Sequence, residues 1–236
     1  MKNEKIRAVL VVLALLLGFC VDRYEKQIAP QIDEPPVTVQ TVPFDVYYTE
    51  GSPLTVELMG NVPAFTEDEL AAAPFEHYAE LDALGRCGTA SAMLDRSLMP
   101  TEDRGSIGSV KPSGWHTVRY DDLIPDKYLY NRCHLIAFCL AGENANEQNL
   151  ITGTRSMNLE ILPYETRIAD YIEDTGDRVA YRVTPVFLGD ELVARGVEIK
   201  AQSVGDRDAV SFHVFCYNVQ PGIEIDYATG ESRRSW

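Results

Sequence analysis

Apolar positions change their period several times along the chain, and each change marks an expected element. Lys2, Lys5 and Arg7 precede an unbroken apolar run from Ala8 to Phe19. Those twelve residues are short for a helix crossing a ~30 Å hydrocarbon core, but suit the apolar core of an export signal with its basic flank. The sequence thus predicts a signal peptide or N-terminal membrane anchor over 1–20. Phe19 before Cys20 is a poor lipidation signal. The Pro-containing stretch 21–41 has no period and reads as a flexible linker, with folded chain over 42–236.

Within that folded part, Thr66-Glu67-Asp68-Glu69 spells a capping box, so a helix should start there, with Pro74 limiting it. His77 falls in a segment read as helical, and Leu81, Leu84 and Ala90 suggest more helix or turn. The Gly- and Ser-containing region up to Val118 has no clean period. Leu162 to Thr175 reads as a helix: Pro163 suits its first turn, Ile168, Tyr171 and Ile172 form an apolar stripe, and Gly176 ends it. Val179 to Leu188 reads as a strand, Gly189-Asp190 as a two-residue hairpin turn into Glu191–Ala201, and Ala209 to Val219 as another strand. In the last, Val210, Phe212 and Val214 share one face and His213 points to the other. Helices mixed with antiparallel strands make an α+β fold with a mixed or antiparallel central sheet and flanking helices.

The 236 residues carry a net charge of −15, and 45 % are hydrophobic. Removing 1–20, with three basic and one acidic side chain, leaves −17. A general nucleic-acid coat protein, which needs a broad basic surface, is thereby excluded; an enzyme gripping a few phosphates is not. Between Thr101 and Cys133 five basic residues balance five acidic ones, so this stretch is neutral and any nucleic-acid binding should be modest and salt-sensitive. Cys87, Cys133, Cys139 and Cys216 allow three disulfide pairings, and whether any forms is open. No CxxC pair supports a structural zinc site.

Of four histidines, His77 and His213 read as packing or surface residues, and His116 has no evident partner. His134 stands out, because Asn131-Arg132-Cys133-His134 sets a guanidinium two residues before an imidazole. Asn144, Asn146, Gln148, Asn149 and Asn158 follow. An imidazole with an unperturbed pKa of ~6.5 can act as a base near neutrality. Carboxamide oxygens suit a hard cation that keeps its waters, and Arg can fork onto a phosphate. Phosphodiester cleavage is one reading; an Asn-rich loop with a chance Arg-x-His is the other.

Residues 131–136 resemble the Asp-Arg-Gly-His motif of the DNA/RNA non-specific endonucleases, the ββα-metal (His-Me finger) nucleases, and in particular their DNA-entry nuclease and streptococcal DNase branch. Supporting strings run in one order: 60–70, Val110-Lys111-Pro112-Ser113-Gly114-Trp115, 142–155, Met157-Asn158, 169–171 and 216–222. The resemblance covers the chain from about Val42 onward and implies a ββα-metal finger carrying the active site. It implies His134 as general base, Asn158 as metal ligand, Arg132 as phosphate or transition-state contact, and Asn149 as a second asparagine of the site. Glu165 would orient the water on the metal, with Glu160 competing for that role. Arg104, Lys111, Asn149 and Asn131 are candidate substrate-binding residues. Asp103-Arg104-Gly105-Ser106 is a decoy of the motif, since serine cannot replace the histidine base.

The chain departs from the pattern at Asn131, where aspartate is usual, and at Cys133, where glycine is usual and a side chain must find room. The implied activity is Mg²⁺-dependent hydrolysis, with Mn²⁺ as substitute. DNA is the expected substrate, RNA is left open, and no obligate protein partner is evident. The enzyme would be secreted or held at the cell surface, meeting the membrane only through an uncleaved leader. Two rivals remain: a catalytically inactive exported nucleic-acid-binding or adhesion module on the same fold, and a different hydrolase using His116 or Cys133.

Overall fold

A computed structural model describes residues 44–235. The expected leader over 1–20 and linker over 21–41 lie outside the described residues. Six strands form one sheet: β1 (Thr55–Glu57), β2 (Phe75–Tyr78), β3 (Ala90–Leu94), β6 (Val179–Val186), β7 (Gly196–Ser203) and β8 (Ser211–Tyr217). Their order is β1-β8-β7-β6-β3-β2, and every neighbouring pair is antiparallel. The fold is α+β.

Alternation along the central strands divides the core. Tyr181, Val183, Val197, Ile199, Phe212, Val214 and Cys216 face the main core. Phe215 and Tyr217 face a second cluster with Val46 and Leu58. The expected stripe of β8 is therefore present. His213 lies opposite it and is buried, its Nε2 2.6 Å from the Glu198 carboxylate.

The main core is covered by a long helix, α3 (Arg155–Thr175), which buries Met157, Ile161, Ile168, Ala169 and Ile172. Fully burying each of the isoleucines contributes about 1.5–3 kcal/mol. The helix starts seven residues before the expected Leu162 because Thr154 caps it, its hydroxyl accepting from the Met157 N–H at 3.1 Å. Pro163 thus lies inside the helix, where it removes one backbone hydrogen bond. It is tolerated on the solvent face, beside exposed Leu159 and Leu162, where water can serve the freed carbonyl. Gly176 closes the helix at φ 69°, as expected.

Other expectations need correction. The capping box forms, with Thr66 and Glu69 bonded reciprocally, but its helix α1 is only Glu67–Ala71. His77 sits in β2, exposed, not in a helix, and Ala90 opens β3. Gly189-Asp190 is not a two-residue hairpin turn: β6 and β7 are joined by the loop 187–195. That loop is held by tertiary contacts. Arg86 donates to the Gly189 and Glu191 carbonyls, and the Leu192 and Val193 N–H groups both donate to the Tyr227 carbonyl.

A separate antiparallel pair, β4 (Tyr130–His134) and β5 (Leu150–Thr154), runs directly into α3, which makes a ββα finger. The short helix α2 (Phe138–Ala141) and the segment 142–149 link its strands. Fully buried Asn218, just past β8, ties the finger to the main sheet. Its Nδ2 donates to the Thr152 and Ala194 carbonyls, and its Oδ1 accepts from the Thr154 N–H at 2.8 Å.

Candidate active site

His134 ends β4 and is half-buried. Its Nε2 lies 2.9 Å from the Asn144 backbone oxygen. A carbonyl only accepts, so Nε2 carries the proton and Nδ1 keeps its lone pair. That lone pair faces the Arg104 guanidinium, whose Nη2 is 3.4 Å away. Burial holds the imidazole below its ordinary pKa; the Asn144 carbonyl opposes this and the Arg104 charge reinforces it. The result is a neutral imidazole with a fixed tautomer.

Asn149 fixes the chain just beyond His134. Its Oδ1 accepts from the Leu135 and Ile136 N–H groups at 3.1 and 2.8 Å, and its Nδ2 donates to the Ile136 carbonyl at 2.9 Å. It is fully buried. It therefore cannot touch substrate, and its place in the expected substrate-binding set is corrected: it is a clamp that shapes the site.

Asn158 and Glu165 lie on α3 seven residues apart, on one face and about 10 Å apart along the axis. Asn158 Oδ1 is 3.3 Å from Cys133 Sγ, one residue before His134. The finger thus brings the strand bearing His134 and the Asn158 carboxamide together. Burial pushes the Glu165 carboxyl up to about 7, and the Arg104 charge opposes it. Its competitor Glu160 turns elsewhere and accepts from the Thr55 hydroxyl at 3.0 Å.

The remaining expected residues separate. Arg104, on an exposed loop, belongs to the decoy string, yet it is the charge beside His134. Arg132 turns inward: it donates to the Val110 and Gly108 carbonyls, and its guanidinium lies 4.0 Å over the Trp115 ring. Two of its five donors are thereby engaged in holding 108–110. Lys111 is exposed, and Asn131 is half-buried in β4 opposite Gly153.

Sequence reasoning had Asn144 only as one of several carboxamides; it missed the contact Asn144 makes with His134, through a backbone carbonyl that no side-chain pattern reveals. His116 is held away by the C-terminal turn, its Nε2 3.0 Å from the Thr229 carbonyl. All four cysteines among the described residues are free. Cys133 is buried and protonated, its thiol pushed up by burial.

No group of three His, Cys, Asp or Glu side chains suited to a metal occurs among the described residues. The donors present are of another kind. Asn158 offers a neutral oxygen, and Glu165 is a half-buried carboxyl that makes no hydrogen bond with a described residue. Asn144 Oδ1 is a buried acceptor without a donor. A few oxygens of low total charge fit a hard cation that keeps most of its waters, as Mg²⁺ does.

A family model described as DNA/RNA non-specific endonuclease matches residues 67–205. The fold is similar to NucA from Streptococcus agalactiae with magnesium ion bound, at 29 % identity and a TM-score of 0.67 over 76 % of this chain and 87 % of that one. The same protein with no metal bound matches with a TM-score of 0.66, also at 29 % identity, over 76 % of this chain and 86 % of that one. Sda1 nuclease with bound zinc ion is 27 % identical, with a TM-score of 0.57 over 68 % of this chain and 81 % of that one. The matched region contains the whole finger, from the strand bearing His134 to the end of α3. The chain belongs to the DNA/RNA non-specific endonuclease family, whose members are metal-dependent enzymes that hydrolyse nucleic acids.

Proposed function

We propose that the protein is an exported, Mg²⁺-dependent endonuclease that cuts DNA with little sequence preference, using His134 as general base. The observation that carries this reading is the hydrogen bond from His134 Nε2–H to the Asn144 carbonyl, which makes Nδ1, with the Arg104 Nη2 3.4 Å before it, the basic nitrogen. His134 takes a proton from the attacking water at Nδ1. Arg104 stabilises negative charge building on the phosphate. Asn158 holds the cation, with Mn²⁺ as a substitute, and Glu165 orients water at the site. When bound, Mg²⁺ supplies charge stabilisation at the phosphate and the leaving oxygen. Arg132 acts by bracing the loop that carries Lys111, not by gripping phosphate directly.

The surface agrees with weak, sequence-independent binding. Of the basic residues between 101 and 133, Arg119 is paired with Asp121 and Arg132 is turned inward. Arg104, Lys111 and Lys127 form no salt bridge with a described residue. Three free cations grip backbone phosphates without reading bases. Export rests on the basic, then apolar, residues 1–20.

Supercoiled plasmid tests the proposal. The mature protein should nick it with Mg²⁺, stop with chelator, and lose activity on His134→Ala by about 10²–10⁴-fold. Cleavage that persists in chelator would point to a different hydrolase. A folded protein that never cuts would point to an inactive binding module.

A further inference from the structure

Cys133 stands where the family's motif has glycine, and it is only 2 % exposed. Room for its side chain comes from across the hairpin. A Cβ on Gly153 would lie 2.4 Å from Cys133 Sγ and 2.6 Å from Met157 Cε, so the thiol fills space that Gly153 leaves open. From that slot Sγ reaches 3.3 Å from Asn158 Oδ1. One residue from each part of the finger therefore interlocks: Cys133 from β4, Gly153 from β5 and Asn158 from α3.

A carboxamide oxygen has two lone pairs, and the terminal torsion of Asn is broad and poorly fixed by itself. A donor that takes one lone pair fixes the plane of the group and leaves the other lone pair in a set direction. Groups that orient a metal ligand in this way tune affinity strongly. A thiol is a weak donor that packs like a small apolar group, so it adds this contact without burying a strongly polar side chain.

We infer that Cys133 is a positioning residue, donating its thiol hydrogen to Asn158 Oδ1 and so orienting that oxygen toward a divalent cation. The inference rests on the reading of Asn158 as metal ligand given under Proposed function.

Direct Mn²⁺ binding to the metal-free protein tests it, followed by the electron paramagnetic resonance signal of the free ion. Urea unfolding of the same samples supplies stabilities. Cys133→Ala should weaken Mn²⁺ binding about tenfold, and Cys133→Ser should recover to within about threefold of the parent. Asn158→Ala should lose binding, and adding Cys133→Ala to it should change nothing more. A merely structural role predicts the opposite rank, because a buried hydroxyl is less stable than a methyl where packing alone matters. If Asn158→Ala weakens binding while Cys133→Ala matches the parent, or if Ala and Ser weaken it equally, the inference is overturned and the nuclease reading stands. If Asn158→Ala binds Mn²⁺ like the parent, the metal reading falls and the inference with it.

Discussion

Glu165→Gln should stabilise the metal-free protein at alkaline pH while removing its activity. The Glu165 carboxyl is pushed up to about 7 by burial, against an ordinary value of 4.5. Between those values the folded protein holds a proton that the unfolded chain releases, so rising pH erodes stability through this window and no further above it. Each pH unit of displacement corresponds to about 1.4 kcal/mol, giving a ceiling of about 3 kcal/mol. The side chain keeps some contact with solvent, which lowers the expected effect to about 1–2 kcal/mol.

Glutamine is isosteric and does not titrate. The stability difference between variant and parent should therefore be near zero at pH 4 and reach its full size above pH 7. Urea unfolding in chelator, with both proteins measured at a series of pH values, reads this difference directly. Other titrating groups cancel in the subtraction. A difference that is flat with pH, or that favours the parent at pH 8, would refute the burial of an unpaired carboxyl at this site. Mg²⁺ should narrow the gap by favouring the ionised parent.

Asn149→Ala should destabilise the protein by about 2–4 kcal/mol, because it strands the Leu135 and Ile136 N–H groups in the interior, as thermal unfolding would show. Its folded fraction should retain the parent's KM, since Asn149 does not meet substrate. Gly153→Ala should destabilise by about 1–3 kcal/mol through overpacking against Cys133, and much of that loss should vanish in a Cys133→Gly background. Additive losses in that double-mutant cycle would contradict the interlock. Arg104→Ala should reduce the slope of log affinity against log salt by about 0.7–0.9 on DNA, whereas an unchanged slope would remove Arg104 from the phosphate contacts.

Local features decide what a local sequence can decide. The capping box at Thr66 forms because hydroxyl and carboxylate are three residues apart on one turn. The stripe of β8 forms because alternate side chains must take opposite faces, and Gly176 ends α3 because the chain there needs a positive φ. The resemblance of residues 131–136 to the family motif implied the finger before any coordinates, although no period in the sequence marked β4 or β5 as strands.

Tertiary structure decided the rest. It started α3 at Arg155, since packing and a Thr154 cap outweigh one lost hydrogen bond at Pro163. It opened the expected hairpin at Gly189 into a loop that receives Tyr227. It turned Glu160 toward the Thr55 hydroxyl and left Glu165 without a hydrogen bond to a described residue, in surroundings that raise its pKa. It set Arg104, thirty residues before the histidine, beside the imidazole, and turned Arg132 away onto Trp115. It kept the cysteines apart in separate surroundings: Cys87 against backbone carbonyls, Cys133 on Asn158 and Cys216 beside Thr55. The physical reason is common to all of these. Period and capping depend on neighbours along the chain, whereas the protonation, partner and direction of a side chain depend on groups brought near it only when distant segments pack.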